Sequence, residues 1–273
     1  MKKKKLWLRI LAALLAFGLL FIAIWMTLSF TGDPISASLA RRAAQEYIRQ
    51  NDLYSMGFEL SDASYNFKFG EYLIHAKSAR NPDLHFDINW RNGKVFYDTY
   101  QYDVLENGNV ITRFQEEYEA LLQIQLEQAG LGRENLFVSV DEPQDSDIWV
   151  TGMAFDQALP VKKDLQLYPD LEEATLEAAA DYLRGVYSLL KEKGHAFETV
   201  GLYYNDGDKH TVMLDGIPVK RVEQADFLAY LKEMQRDTEK RDATEKEAMD
   251  KGVPTEPVLV DENGERLPMV FVD

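Results

Sequence analysis

Few residues in this chain can do covalent chemistry, and the spacing of each candidate gives it a specific test. Ser188-Leu189-Leu190-Lys191 has the Ser-x-x-Lys spacing that sets a lysine amine one helical turn from a serine hydroxyl, as in penicillin-interacting enzymes. Those enzymes also need a Lys-Thr-Gly element, which the chain lacks, and it has no Gly-x-Ser-x-Gly elbow either. The histidines are His75, His85, His195 and His210, with no pair at the i, i+4 spacing that places two imidazoles on one helix face for zinc. Zero cysteines exclude disulfides and thiolate ligands, leaving stability to apolar burial. Two groups of acids remain. Asp141, Glu142, Asp145 and Asp147 crowd one loop with oxygen ligands suited to calcium, without the glycine and terminal glutamate of an EF-hand. Asp87 and Asp98 flank Asn92-Gly93, and a two-residue turn there sets them opposite one another, where repulsion raises a carboxyl pKa or holds a cation. Nearby lysines such as Lys68 relieve the same repulsion without a ligand. These patterns assign no catalytic residue and no cofactor, and they leave a metal open.

The elements that must position these residues begin with an anchor. Leu6 to Phe30 holds one charge, Arg9, behind Lys2 to Lys5, and about 20 apolar residues span a bilayer. A secretory signal has a shorter apolar core and a small-x-small cleavage site, so this run reads as a retained anchor. Basic residues flanking a span stay in the cytoplasm, which predicts a cytoplasmic stub and an extracytoplasmic body. The first thirty residues hold five of the 30 basic groups and none of the 46 acids, leaving 25 basic against 46 acidic in the body. Such a surface repels nucleic acid and anionic headgroups.

Asp33-Pro34 predicts a helix start, and Ile35, Leu39, Ala43 and Tyr47, with Ala40, Ala44 and Ile48, predict one apolar face to Gln50. Strands follow over 58–70, 71–78, 86–91 and 94–100. Asn92-Gly93 tolerates the positive φ of a type I′ turn, pairing Trp90 with Val95, Ile88 with Tyr97 and Phe86 with Thr99. His75 and His85 fall in neighbouring strands of this sheet, short of the ligand count of a zinc site.

These residues also carry a resemblance. Gly32-Asp33-Pro34 after an anchor, Tyr65 to Tyr72, His85 to Tyr100, and Thr112-Arg113 with Glu117-Tyr118 resemble the YfjL-like proteins of Gram-positive bacteria over about residues 32–122. The resemblance implies a single-pass protein of a Gram-positive cell surface, and it implies no activity, cofactor or catalytic residue. The helix-on-sheet pattern is similar to cystatin-like and PepSY-type modules in architecture alone.

Beyond Asn107-Gly108 a second unit begins. Helices are predicted over 110–128, 171–193 and 222–234, with Gly130-x-Gly132 as a helix stop. Strands are predicted over 136–140, 148–155, 197–204 and 209–214, with Asp215-Gly216 turning the chain out. Residues 235–251 read as a solvated helix or a linker, and 257–261 with 266–272 as a terminal hairpin around Asn263-Gly264.

The expectation is an α+β protein: an N-terminal transmembrane helix (1–31), two small units of helices packed on antiparallel sheets (32–108 and 109–234), and a tail (235–273). Its partners are the membrane, through the anchor, and an envelope protein, peptide or wall component, with no nucleic acid. A binding module of the cell envelope fits this best, and the alternative is an envelope hydrolase whose site assembles only in three dimensions.

Overall fold

The computed structural model describes residues 2–51, 53–131, 135–140, 147–207, 210–250 and 267–272. The protein is α+β and divides into two units, Met1–Val110 with Trp149–Met153, and Ile111–Ile148 with Ala154–Asp273.

In the first unit α1 (Lys2–Thr31) is a 30-residue helix whose large apolar side chains from Ile10 to Phe30 lie exposed. Only Gly32 and Asp33 separate it from α2 (Pro34–Gln50). The Asp33 carboxylate caps α2 by accepting from the Ser36 N–H at 2.8 Å, and Pro34 opens the first turn, where its missing N–H is harmless. The Tyr72 hydroxyl accepts from the Asp33 N–H at 2.7 Å and donates to the Asp33 carbonyl at 3.1 Å. Gly32 has φ +72°, and a Cβ there would lie 2.6 Å from the Tyr72 hydroxyl and 2.7 Å from the Tyr65 ring. The juncture is therefore a packed corner that only glycine can turn.

Helix α2 buries Ala40, Ala44 and Ile48, while Ile35 and Leu39 are exposed. The buried face is thus narrower than its apolar pattern, since two alanines let the helix lie close to the large residues Tyr72, Ile74, Phe86, Ile88 and Trp90. These come from a sheet in the order β1 (Phe58–Leu60), β3 (Glu71–Ser78), β4 (His85–Arg91), β5 (Lys94–Asp98), with β2 (Ser64–Asn66) also on β3. The single strand predicted over 58–70 is split: β1 pairs with Ala76–Ser78 and β2 with Glu71–Leu73. Its last alternating residues leave the sheet, because the Phe69 and Gly70 N–H groups close a turn onto the Asn66 carbonyl and expose Phe67 and Phe69.

Asn92 and Gly93 take φ of 52° and 83°, and Trp90 pairs with Val95. Beyond that pair the register slips. Asn89 opposes Tyr97 and Ile88 opposes Asp98, leaving Phe96 as the extra residue of a β-bulge. A one-residue slip turns every later side chain to the other face. After a π-helical turn at Gln101–Leu105, α3 (Gly108–Gln128) begins. The Asn109 side chain donates to the Asp83 carbonyl at 2.9 Å and the His85 carbonyl at 2.7 Å.

The strand predicted over 148–155 does not form. Trp149 is buried in the first unit, and Gly152, at φ +80°, donates its N–H to the Asp83 carboxylate at 2.6 Å. The Met153 N–H closes a turn onto the Val150 carbonyl, so the backbone groups that a ladder needs are used locally.

The second unit has a sheet in the order β10 (Met269–Val272), β9 (Thr211–Pro218), β8 (Thr199–Asn205), β7 (Lys163–Tyr168), β6 (Asn135–Val140), antiparallel except between β7 and β8. That parallel pair requires a crossover, supplied by α4 (Leu176–Glu192). Helix α4 starts at Leu176, five residues later than its pattern, behind Thr175, whose hydroxyl accepts from the Ala178 N–H at 3.2 Å. Asp215 and Gly216 do not turn the chain out; they lie within β9, where Gly216 has φ +65° opposite the irregularity between Val200 and Leu202. Helix α6 (Phe227–Asp250), after the short α5 (Val219–Val222), runs through the charged stretch as helix. It is more than a solvated face, because Thr238 is buried and its hydroxyl accepts from the Val270 N–H at 3.2 Å. Strand β10 pairs with β9; the other arm of the predicted terminal hairpin, 257–261, lies outside the described residues.

Candidate functional site

Helix-facing residues of the second sheet, among them Val138, Leu165, Leu167, Leu202, Val212 and Leu214, are buried, and the alternate residues line a groove of about 450 Å³ on the opposite face. Period-two alternation puts Phe137 and Ser139 of β6, Asp164, Gln166 and Tyr168 of β7, Thr199 and Tyr203 of β8, and Met213 and Asp215 of β9 on one surface. Phe137 opposes Gln166, which lies beside Gly201, and Tyr203 opposes Met213. Gly201 makes the floor: a Cβ there would stand 1.9 Å from the Gln166 amide oxygen and 2.7 Å from the Leu214 carbonyl. Tyr168 and Tyr203 meet edge to face at 6.2 Å, and with Phe137 they are large aromatics left exposed. The Asp164 carboxylate accepts from the Thr199 N–H at 3.0 Å and hydroxyl at 2.6 Å. The groove therefore offers aromatic faces, an amide, hydroxyls and two carboxylates. Sequence reasoning missed it because Lys163 occupies a core position of β7 and hides the alternation of Leu165 and Leu167.

Beneath the helices lies a buried polar chain. The Tyr118 hydroxyl is 2.7 Å from His195 Nδ1, and His195 Nε2 is 2.8 Å from the Gln125 amide oxygen. An amide oxygen only accepts, so Nε2 carries the proton and Nδ1 accepts from Tyr118. Burial first, then the charges of Lys163 and Lys193, pushes the His195 pKa down to about 4. Burial also lowers the pKa of Lys163, whose ammonium sits 5.5 Å over the Tyr118 ring and donates to the Leu159 and Val161 carbonyls. Tyr118, His195 and Lys163 each donate to an acceptor, and the chain reads as structural.

The residues singled out by type are dispersed. The bulge separates Asp87 from Asp98, correcting the facing pair: Asp87 contacts His75 and opposes Thr99, whereas Asp98 crosses to the helix side and accepts from Tyr47 at 2.7 Å. Burial and that carboxylate push the Tyr47 pKa up to about 12. His85 bonds the Pro82 carbonyl and His210 bonds Asp206, each at 2.8 Å, so no two histidines share a ligand position. Ser188 is exposed on α4, and the Lys191 amine is held by Glu223, not by the serine hydroxyl. Of the acidic loop, Asp141, Glu142 and Asp145 lie outside the described residues. Among the described residues no cluster of three metal-ligating side chains occurs.

Against known families, residues 3–104 match the YfjL-like N-terminal domain and residues 117–235 match the YfjL-like C-terminal domain. No curated protein and no solved structure matches the chain. Both halves of the molecule thus match domains of one family, the second of them beyond the stretch where short motifs are recognisable by eye, and the chain belongs to the YfjL-like family.

Proposed function

We propose that this is a single-pass membrane protein with a cytoplasmic amino terminus and an extracytoplasmic binding body, and that the groove on its second sheet holds an extended peptide of neutral or positive charge. The groove carries the reading: aromatic walls, an amide and two carboxylates converge over a floor at Gly201 that has room for no side chain of its own. Asp164 and Asp215 disfavour an anionic ligand, and the aromatics with Met213 provide adaptable apolar contact. Orientation follows from Lys2 to Lys5 and Arg9 on the amino side of α1, the one described helix long and apolar enough to span a bilayer.

Titration of the detergent-solubilised full chain with short extended peptides of neutral, lysine-rich and aspartate-rich composition tests the groove. The first two sets bind, the third does not, and Phe137→Ala with Tyr203→Ala weakens binding about tenfold, or about 1.4 kcal/mol, without changing the melting curve. Equal binding by the double variant overturns the assignment. Turnover of peptide or wall glycan by the full chain would favour the hydrolase instead.

A further inference from the structure

The end of the first sheet beside the anchor carries side chains that water does not explain. The β2–β3 turn presents Phe67 and Phe69 with Lys68 between them, and the two rings are 52% and 63% exposed. Exposed phenylalanines in a turn facing water are costly, and two placed two residues apart in one short turn form a patch. The patch is not free to point anywhere. Phe67 packs against Phe30, in the last turn of α1, with ring centroids 5.5 Å apart, and Tyr72, at the start of the strand that leaves the turn, holds both backbone groups of Asp33. The Gly32 corner leaves no slack between anchor and sheet.

The charge around this end differs from that of the body as a whole. The β4–β5 turn lies at the same end of the sheet, since Tyr72 pairs with Trp90, and its Asn92 lines a hollow shared with Trp25 of the anchor. Exposed Arg91 and Lys94 flank that turn, so with Lys68 three cations gather next to the anchor in a body where acids outnumber basic residues. Aromatic rings beside cations, at the exit of an apolar helix, are the composition of an interfacial membrane contact, in which rings enter the headgroup–acyl boundary and cations meet lipid phosphates. Trp7 and Trp25 are eighteen residues apart, about 27 Å of helix, close to the hydrocarbon thickness of about 30 Å, which sets Phe30 and the turn at the interface beyond Trp25.

We propose that the turn Asn66–Gly70 is a second membrane-contacting element: Phe67 and Phe69 insert into the leaflet at the carboxyl end of α1, and Lys68, Arg91 and Lys94 engage its phosphates, so that the first unit is held against the bilayer and not merely tethered to it. The partner is the lipid surface. This rests on the reading of α1 as a membrane span.

The absence of cysteine allows single nitroxide labels at chosen positions of the full chain. Phe69→Cys, Phe21→Cys in mid-anchor and Val150→Cys on the exposed surface of the first unit are each labelled and reconstituted in vesicles of zwitterionic lipid with a minor anionic component. Collision with oxygen and with a water-soluble nickel chelate then reports depth. The expected result is a lipid signature at 21, an aqueous one at 150, and at 69 a depth of about 5 to 10 Å below the phosphates. An aqueous signature at 69 with a lipid signature at 21 overturns the contact and leaves the span standing. Aqueous signatures at both overturn the span and the contact with it. The pair Phe67→Ser and Lys68→Glu, in a chain labelled at position 94, moves that label away from the phosphates; no movement counts against the proposal equally.

Discussion

The second unit buries the larger apolar core, from Ile111 on α3 to Val270 on β10, and the two units use their polar groups differently. In the first, hydroxyls, amides and carboxylates tie distant segments to one another: Tyr72 to Asp33, Asn109 to the Asp83 and His85 carbonyls, Asp83 to Gly152, and Tyr47 to Asp98. In the second, the main polar chain, from Tyr118 through His195 to Gln125, lies inside the core, and the far face of the sheet is left open as a groove. A unit whose polar groups join segments is suited to holding a fixed attitude. One that satisfies its polar groups internally can leave a surface for a ligand.

The largest effect that would break this comparison lies in the first core. Trp90 is buried against Tyr72 with ring centroids 5.7 Å apart, so Trp90→Ala should cost about 3 to 5 kcal/mol in chemical denaturation. Its indole N–H has no acceptor among the described residues, a burial penalty of about 1 to 3 kcal/mol, so Trp90→Phe should recover much of the loss. Equal costs for the two variants would mean that the N–H is satisfied.

Acid should act on the second unit. The unfolded chain binds a proton at His195 near pH 6.5, and the folded chain only near 4, so stability falls as pH drops through that window. About 2 to 3 kcal/mol should be lost between those values, read as hydrogen-exchange protection of β7 and β8. His195→Gln should flatten that slope; an unchanged slope would assign it to other groups.

The two aspartates set apart by the bulge give the finer contrast. Asp98→Asn weakens a charge-assisted bond to a half-buried tyrosine and should cost about 2 kcal/mol, whereas Asp87→Asn loosens an exposed contact to His75 and should cost less than about 1 kcal/mol. Similar melting shifts for both variants would indicate that the register does not slip at Phe96.

Local rules made much of this fold legible. A capping aspartate before proline starts α2, an Asn-Gly pair turns β4 into β5, and Gly194, with φ +86°, closes the chain after α4. Each depends on a few adjacent residues whose φ preferences and spacing act alone. The apolar run of α1 is legible for the same reason, because length and composition suffice. Tertiary structure decided what depends on partners far away in sequence. The slip at Phe96 sends Asp98 to the helix side, Trp149 is buried in the first unit and not in a strand of the second sheet, and a buried lysine joins β7 because the Leu159 and Val161 carbonyls receive its ammonium. The groove arises only when β6 to β9 align around Gly201, since no segment of the chain can show by itself which face of a sheet the helices will leave uncovered.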